Sequence, residues 1–262
     1  MSSPVLDKNG RAMCLAAMVQ TTPSTDTMPK SVRVCSDPDS AIQVAQFIVA
    51  EMKTNPFCAE GLRITEYNRF DQQEEVRRWR ALPWYSRLGG MPDFQSQARA
   101  AKSAAYTLWA ERAGPGRPWD HKPHIAALMK RQGLFNKGWH KYAQYEYFYD
   151  IWSNIHYGYV GLAIGFTAAE LIIGAGLAQI GDDAVHLRRG QHHAENGPWP
   201  ASADDVQDHT SIQLGIDMYL VKKPQALTVD FILQQISAVP MPWGLPPEGL
   251  HAKEEHQCGR MR

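Results

Sequence analysis

Cysteine is scarce in this 262-residue chain: Cys14, Cys35, Cys58 and Cys258 are the only four, and no two form a Cys-x-x-Cys pair. Structural zinc sites usually carry closely paired ligands, and small secreted scaffolds carry many more cysteines, so the thiols read as buried or idle. A disulfide among the first three has no support from their spacing. An excess of one charge is also missing. The 27 basic side chains balance 27 acidic ones, and the pI is near 7.1. That removes the strongly basic surface expected of a nucleic-acid binder. There is no G-x-S-x-G elbow, Walker loop, dinucleotide fingerprint or H-E-x-x-H pair. Nucleotide-driven and zincin-type chemistry are thereby disfavoured, while general acid–base hydrolysis stays open. No cofactor and no metal are expected; a metal would need ligands gathered from distant residues, such as His121, Asp150 and His156.

Long apolar runs are absent as well. The most membrane-like stretch, 155–180, is interrupted by Glu170 and by glycines at 158, 161, 165, 174 and 176. A spanning helix needs about 20 continuous apolar residues, so the stretch reads as two shorter buried pieces and stable membrane insertion is not expected. Gly161 and Gly165 form a G-x-x-x-G, a weak signal by itself. Lys8 and Arg11 precede a short apolar run, 12–19, without a clean small-x-small cleavage site. Export would then require a dedicated secretion machine.

Apolar and aromatic residues are plentiful: 44% hydrophobic overall, with 8 Trp, 10 Tyr and 10 His. This is a globular composition large enough for a substantial core. Residues 1–38 show no sustained period and read as linker. A helix is predicted from Asp39-Ser40, with Ile42, Ala45, Phe47, Ile48, Val49 and Met52 as its apolar face and Asn55-Pro56 as its end. Further helix is predicted through 60–112, broken at Leu82-Pro83 and Gly89-Gly90. The run Ala113-Gly114-Pro115-Gly116-Arg117-Pro118 marks a boundary. Beyond it the expectation is a helical domain over 113–238 and a Pro-rich loose tail over 239–262 (Pro240, Pro242, Pro246, Pro247). Within that domain helices are predicted from Trp139 to Ile155, from a Thr167/Glu170 capping box to Gly181, from Ala203 to Val221, and from a Thr228 cap to about Ser237. The fold class is mainly α, a C-terminal helical domain preceded by a smaller helical region.

The richest chemistry lies between Tyr145 and Gly158. On a continuous helix, Glu146, Asp150 and Asn154 share one face at four-residue spacing. His156, Tyr157 and Gly158 would follow at its exit, where a glycine admits close approach of a ligand. Any one of these alone is more simply a satisfied structural residue; as a group they favour a site, because burying several polar groups is costly unless they are paired or used. Trp119, Asp120, His121 and Lys122 place ring, acid, imidazole and ammonium consecutively, as a converging loop or as a charged turn capping the next helix. Asp205 and Asp208 stand at a helix start, which the macrodipole favours in any case. Catalytic candidates are therefore His156, Asp150, Glu146, Asp120, His121 and Lys122; substrate-binding candidates are Asn154, Tyr157, Trp119, Trp152, Asp205 and Asp208.

The segments Pro118-Trp119-Asp120-His121-Lys122-Pro123, Tyr149-Asp150-x-Trp152-Ser153-Asn154-Ile155-His156-Tyr157-Gly158-Tyr159-Val160-Gly161, Gly165-Phe166, Gly174-Ala175-Gly176 and Asp205-x-x-Asp208-x-x-x-Ile212-x-Leu214-Gly215-Ile216 resemble the bacterial polymorphic toxin type 44 domain over about 115–238. The resemblance implies a toxin delivered by an interbacterial secretion system, of which type VI is one, with a cognate immunity protein. Partners would also include a secretion component or chaperone. The short region before 113 suggests a stand-alone cargo effector or a fragment, with 1–112 serving delivery. The resemblance does not specify a substrate. Three functions remain. The first is a peptidoglycan glycan hydrolase acting in the target's periplasm, favoured because the region from Gly114 onward carries 13 basic against 15 acidic residues and is rich in sugar-stacking aromatics. The second is a metal-independent ribonuclease acting in the cytoplasm, with His156 or His121 as acid or base. The third is non-enzymatic, a pore former or a structural helical protein.

Overall fold

The computed structural model describes residues 35–244 and 252–259. The apolar run at 12–19, Lys8, Arg11, Cys14, Pro246 and Pro247 lie outside the described residues. The element at the centre is helix α1 (Ala41–Thr54), whose Val44, Ala45, Ile48, Val49 and Met52 are buried. Spaced at three and four residues, they form the apolar stripe that a core helix requires. The chain then makes a 3-10 turn at Asn55–Phe57, and the Cys58 thiol accepts from the Gly61 N–H at the start of α2 (Ala59–Asn68). Helix α3 (Gln72–Ala81) is capped by Asp71 and exposes every side chain fully or partly, with Glu74 and Glu75 paired to Arg77 and Arg78 along its surface. Asp93 caps α4 (Phe94–Ala113), which packs on α2.

Past the Gly/Pro run come α5 (Lys122–Arg131) and then a hairpin, not the helix predicted from Trp139. Strands β1 (Trp139–Tyr142) and β2 (Tyr145–Phe148) pair antiparallel, Trp139 opposite Phe148 and Tyr142 opposite Tyr145. Aromatic side chains suit the pleated, half-buried surface of a strand, and this preference prevails over the apparent helical spacing. Ala143 turns the corner with φ of 52°. A third strand, β3 (Lys253–Glu255), pairs with β2 in the order β1-β2-β3. The tail expected to be loose thus includes a docked strand. The buried Lys253 ammonium donates to the carbonyls of Ser237 (2.9 Å) and Val239 (2.6 Å), satisfying acceptors at the end of α9 (Val229–Ala238).

Helix α6 (Asp150–Ala163) begins only after the hairpin, and α7 (Ala168–Val185) follows with its Thr167/Glu170 capping box formed. Helix α7 continues past Gly181, where the sequence predicts a stop. Asp205 caps α8 (Val206–Val221), and the Thr228 hydroxyl accepts from the Phe231 N–H to start α9. The two polypeptide backbones of α6 and α8 meet directly. A Cβ on Gly158 would lie 2.1 Å from the Ile212 carbonyl oxygen, and one on Gly215 would lie 2.1 Å from that of Ile155. Gly158 is therefore needed for helix–helix approach, not for approach of a ligand. Gly165 ends α6 with φ of 96°, which accounts for half of the G-x-x-x-G spacing. Among the described residues no helix is long and apolar enough to cross a membrane.

One core unites these elements. Ile48 and Met52 of α1, Ile151, Trp152, Ile155 and Tyr159 of α6, Ile212 and Ile216 of α8, and Ile232 and Ile236 of α9 belong to a single buried cluster. The compositional break at 114–118 is a turn between α4 and α5, and the core runs across it. The class is mainly α, as the sequence implies.

Candidate active site

A cavity of about 310 Å³ opens where the start of α5, the first half of α6, α7 and the start of α8 converge. Its polar lining is Asp120, Lys122, Asn154, Asp182, Asp204 and Asp208, and Trp119 and Tyr157 supply the aromatic wall. Four carboxyl groups face one ammonium.

Each polar group owes its position to local structure. Asp120 accepts from the backbone N–H of Gly116 (2.9 Å) and of Lys122 (3.2 Å). It is both the turn-capping acid and a wall of the cavity, so the two readings of this segment hold together. Lys122, just inside α5, reaches Asp150 in the first turn of α6, with Nζ 3.3 Å from Oδ1. Burial alone would lower the lysine pKa, but Asp150 and Asp208 outweigh it and raise the value. Burial raises the Asp150 pKa against the pull of the same lysine.

The strongest perturbations sit at the entrance to α8. Asp204 is 4% exposed, its Oδ2 has no hydrogen-bond partner, and its pKa is pushed up to about 8 by burial first and by the charges of Asp208 and Asp205 second. Asp208, one turn into the cavity, is pushed up to about 7 by burial, with Lys122 opposing and Asp150 and Asp205 reinforcing. Two carboxyls with pKa values displaced to the neutral range, in one water-accessible cavity, are an arrangement for proton transfer.

Of the sequence candidates, Asp120, Lys122, Asp150, Asn154, Tyr157, Trp119 and Asp208 come together here. Five others do not. Glu146 is on β2, not on the α6 face, and its carboxylate contacts His256 Nδ1 at 2.9 Å. Trp152 is fully buried in the core, its indole N–H donating to His140 Nδ1 at 3.1 Å. Asp205 accepts from the Gln207 N–H at 2.9 Å as the α8 cap. His156 lies in mid-helix, 1% exposed, not at a helix exit facing a cleft. Its Nε2 takes a 2.9 Å hydrogen bond from the Asn55 side-chain amide, and burial holds its pKa well below the usual histidine value. His121 meets it edge to face at 4.1 Å, is also 1% exposed, and is pushed down to about 4 by burial and then by His124. These rings form a neutral pair behind the wall made by Trp119, whose ring lies 6.4 Å from that of His156. Asp204, Asn55 and Asp182 are not among the sequence candidates. Asp204 has a usable signal in its place beside a second acid one turn on; the other two have none.

The described residues thus form a mainly α fold with a carboxylate-lined cavity. Residues 108–220 match the family model described as bacterial toxin 44, so this stretch is a bacterial toxin domain of that family. Every residue lining the cavity, from Ala113 to Ile212, falls inside it. The match starts a little earlier than the resemblance implied and stops before α9. No curated protein and no solved structure matches the chain.

Proposed function

We propose that this toxin domain is a general acid–base hydrolase of cell-wall glycan, delivered by a dedicated secretion system into the periplasm of a target bacterium. The observation that carries this reading is the Asp204/Asp208 pair in an otherwise acidic, aromatic-walled cavity. Glycosidic cleavage calls for one carboxyl that keeps its proton and one that gives it up. The base must be ionised and the acid protonated at the same pH. Both carboxyls are raised into the neutral range, so near neutral pH one of the pair can hold its proton while the other releases it. Lys122 and Asn154 favour the ionised form of Asp208. Trp119 and Tyr157 give the cavity an aromatic lining of the kind that suits a sugar ring.

The ribonuclease alternative has less support. A polyanion would meet four carboxyls and one lysine, and the two histidines it would use are buried behind the cavity wall. A cognate immunity protein and a secretion component or chaperone belong to this proposal. The test is toxicity of the full chain expressed in bacteria with and without a periplasmic signal peptide. Killing only after export, with lysis, supports wall hydrolysis; killing only in the cytoplasm, with loss of RNA, overturns it in favour of the ribonuclease.

A further inference from the structure

We infer that Cys35, Asp37, His256 and Cys258 form a zinc site that ties the start of the folded chain to its end. It lies at the edge of the three-stranded sheet, away from the acidic cavity and outside the toxin 44 match. Nothing in the cysteine spacing signals it, because the ligands come from two segments 221 residues apart.

Among the described residues, Cys35, His256 and Cys258 are the one group of three whose ligand atoms all lie within 4.8 Å of one another. Asp37 supplies a fourth. His256 Nε2 is 3.4 Å from Cys35 Sγ and 3.0 Å from Asp37 Oδ2. In a tetrahedral zinc site with Zn–S of about 2.3 Å and Zn–N or Zn–O of about 2.0 Å, the S–N and N–O edges would be about 3.5 and about 3.3 Å. The observed separations need adjustments of a few tenths of an ångström. Two thiolates, an imidazole nitrogen and one carboxylate are a donor set suited to zinc in preference to magnesium or calcium.

The second layer is also in place. The other ring nitrogen of His256, Nδ1, is 2.9 Å from Glu146 Oε1, and the side chains of His256 and Glu146 are 3% and 6% exposed. A carboxylate on the far nitrogen fixes the tautomer that leaves Nε2 free for a metal. Asp37 is oriented by the Gly259 N–H at 2.7 Å. Glu146, a catalytic candidate on sequence grounds, is thus a positioning residue for a metal ligand. His256 Nε2 faces both the Cys35 thiol and the Asp37 carboxylate, and a cation at their centre would take all three as ligands. Pairing β3 with β2 carries His256 and Cys258 to Cys35, so metal binding and closure of the sheet are coupled.

The experiment uses the full chain, reduced and stripped with chelator, then titrated with zinc and separately with cobalt. The expected result is one equivalent bound, with the thiolate charge-transfer and strong visible bands of tetrahedral cobalt. Chelation should lower Tm by several degrees. Cys258→Ser, at an exposed position, should abolish the bands while leaving the helical signal, and Glu146→Gln should weaken zinc about 10- to 100-fold without abolishing it. Three results would overturn the site: no stoichiometric binding, equal binding by Cys258→Ser, or a Cys35–Cys258 disulfide as the only form of the protein recovered from cells.

Discussion

Replacing Asp204 by asparagine removes a titratable charge and almost no volume, and its consequence depends on pH in a way that can be worked out beforehand. The carboxyl has a folded pKa near 8 against an ordinary value of 3.8. Between those two values the folded state holds a proton that the unfolded chain has released. Stability therefore falls as pH rises from about 4 to about 8, by roughly 1.4 kcal/mol per pH unit. From pH 5 to pH 8 the wild type should lose about 4 kcal/mol that the Asp204→Asn variant keeps. For a folded region of this size 1 kcal/mol is about 2–4 °C in Tm, so the gap should widen by about 10 °C over that interval. Thermal unfolding of both proteins at half-unit pH steps measures it. The Asp204→Asn variant should match the wild type near pH 4, exceed it increasingly up to pH 8, and be inactive throughout. A gap that is constant with pH, or that favours the wild type at pH 8, would refute the buried-carboxyl argument.

Asp208→Asn should abolish toxicity with Tm unchanged or raised, and the wild-type rate should follow a bell centred in the neutral range; a plateau from pH 5 to pH 9 would contradict this pairing. His156→Ala should lower Tm by several degrees and lose toxicity along with fold, since it removes one of the two acceptors of the Asn55 amide and opens a hole beside His121, at about 1–3 kcal/mol or more; a stable, inactive variant would return His156 to the chemistry. Gly158→Ala should prevent folding, because the new methyl would sit 2.1 Å from the Ile212 carbonyl oxygen; circular dichroism of the purified variant checks it. Residues 113–262 expressed alone should fold poorly, because α1 and its Ile48 and Met52 contribute to the shared core; wild-type toxicity and stability of that piece would show that the region before 113 serves delivery only.

The helical class, the caps at Thr167 and Thr228, and the end of α1 at Asn55-Pro56 are legible in local chemistry, because caps and breakers act within three or four residues; the helix predicted from Ala203 instead starts at Val206, capped by Asp205. The hairpin is not. Its turn is Ala143-Gln144, without the Asn-Gly or Gly that usually announces a reversal, and Tyr-Glu-Tyr-Phe fits a helix face and a strand equally well on spacing. That one change of element separates Glu146 from Asp150 and moves His156 from a helix exit to mid-helix. The constellation on α5, α6 and α8 is visible in the sequence as Asp120, Lys122, Asp150, Asn154 and Asp208. Asp204 is marked there only by the second acid one turn on, because its importance comes from burial at the end of a loop, and burial is a tertiary property. Cys35 and Cys258 look idle in the sequence for the same reason: only β3 pairing on β2 brings them together.

The proposed cleavage of wall glycan by Asp204 and Asp208 can be tested directly. Purified full-length protein should be incubated with purified peptidoglycan sacculi at about pH 7.5, between the two carboxyl values, beside Asp208→Asn and beside total bacterial RNA. Wild-type protein should release muropeptides carrying new reducing sugar ends, Asp208→Asn should release none, and the RNA should stay intact. Intact sacculi with degraded RNA, or equal release by Asp208→Asn, would contradict it.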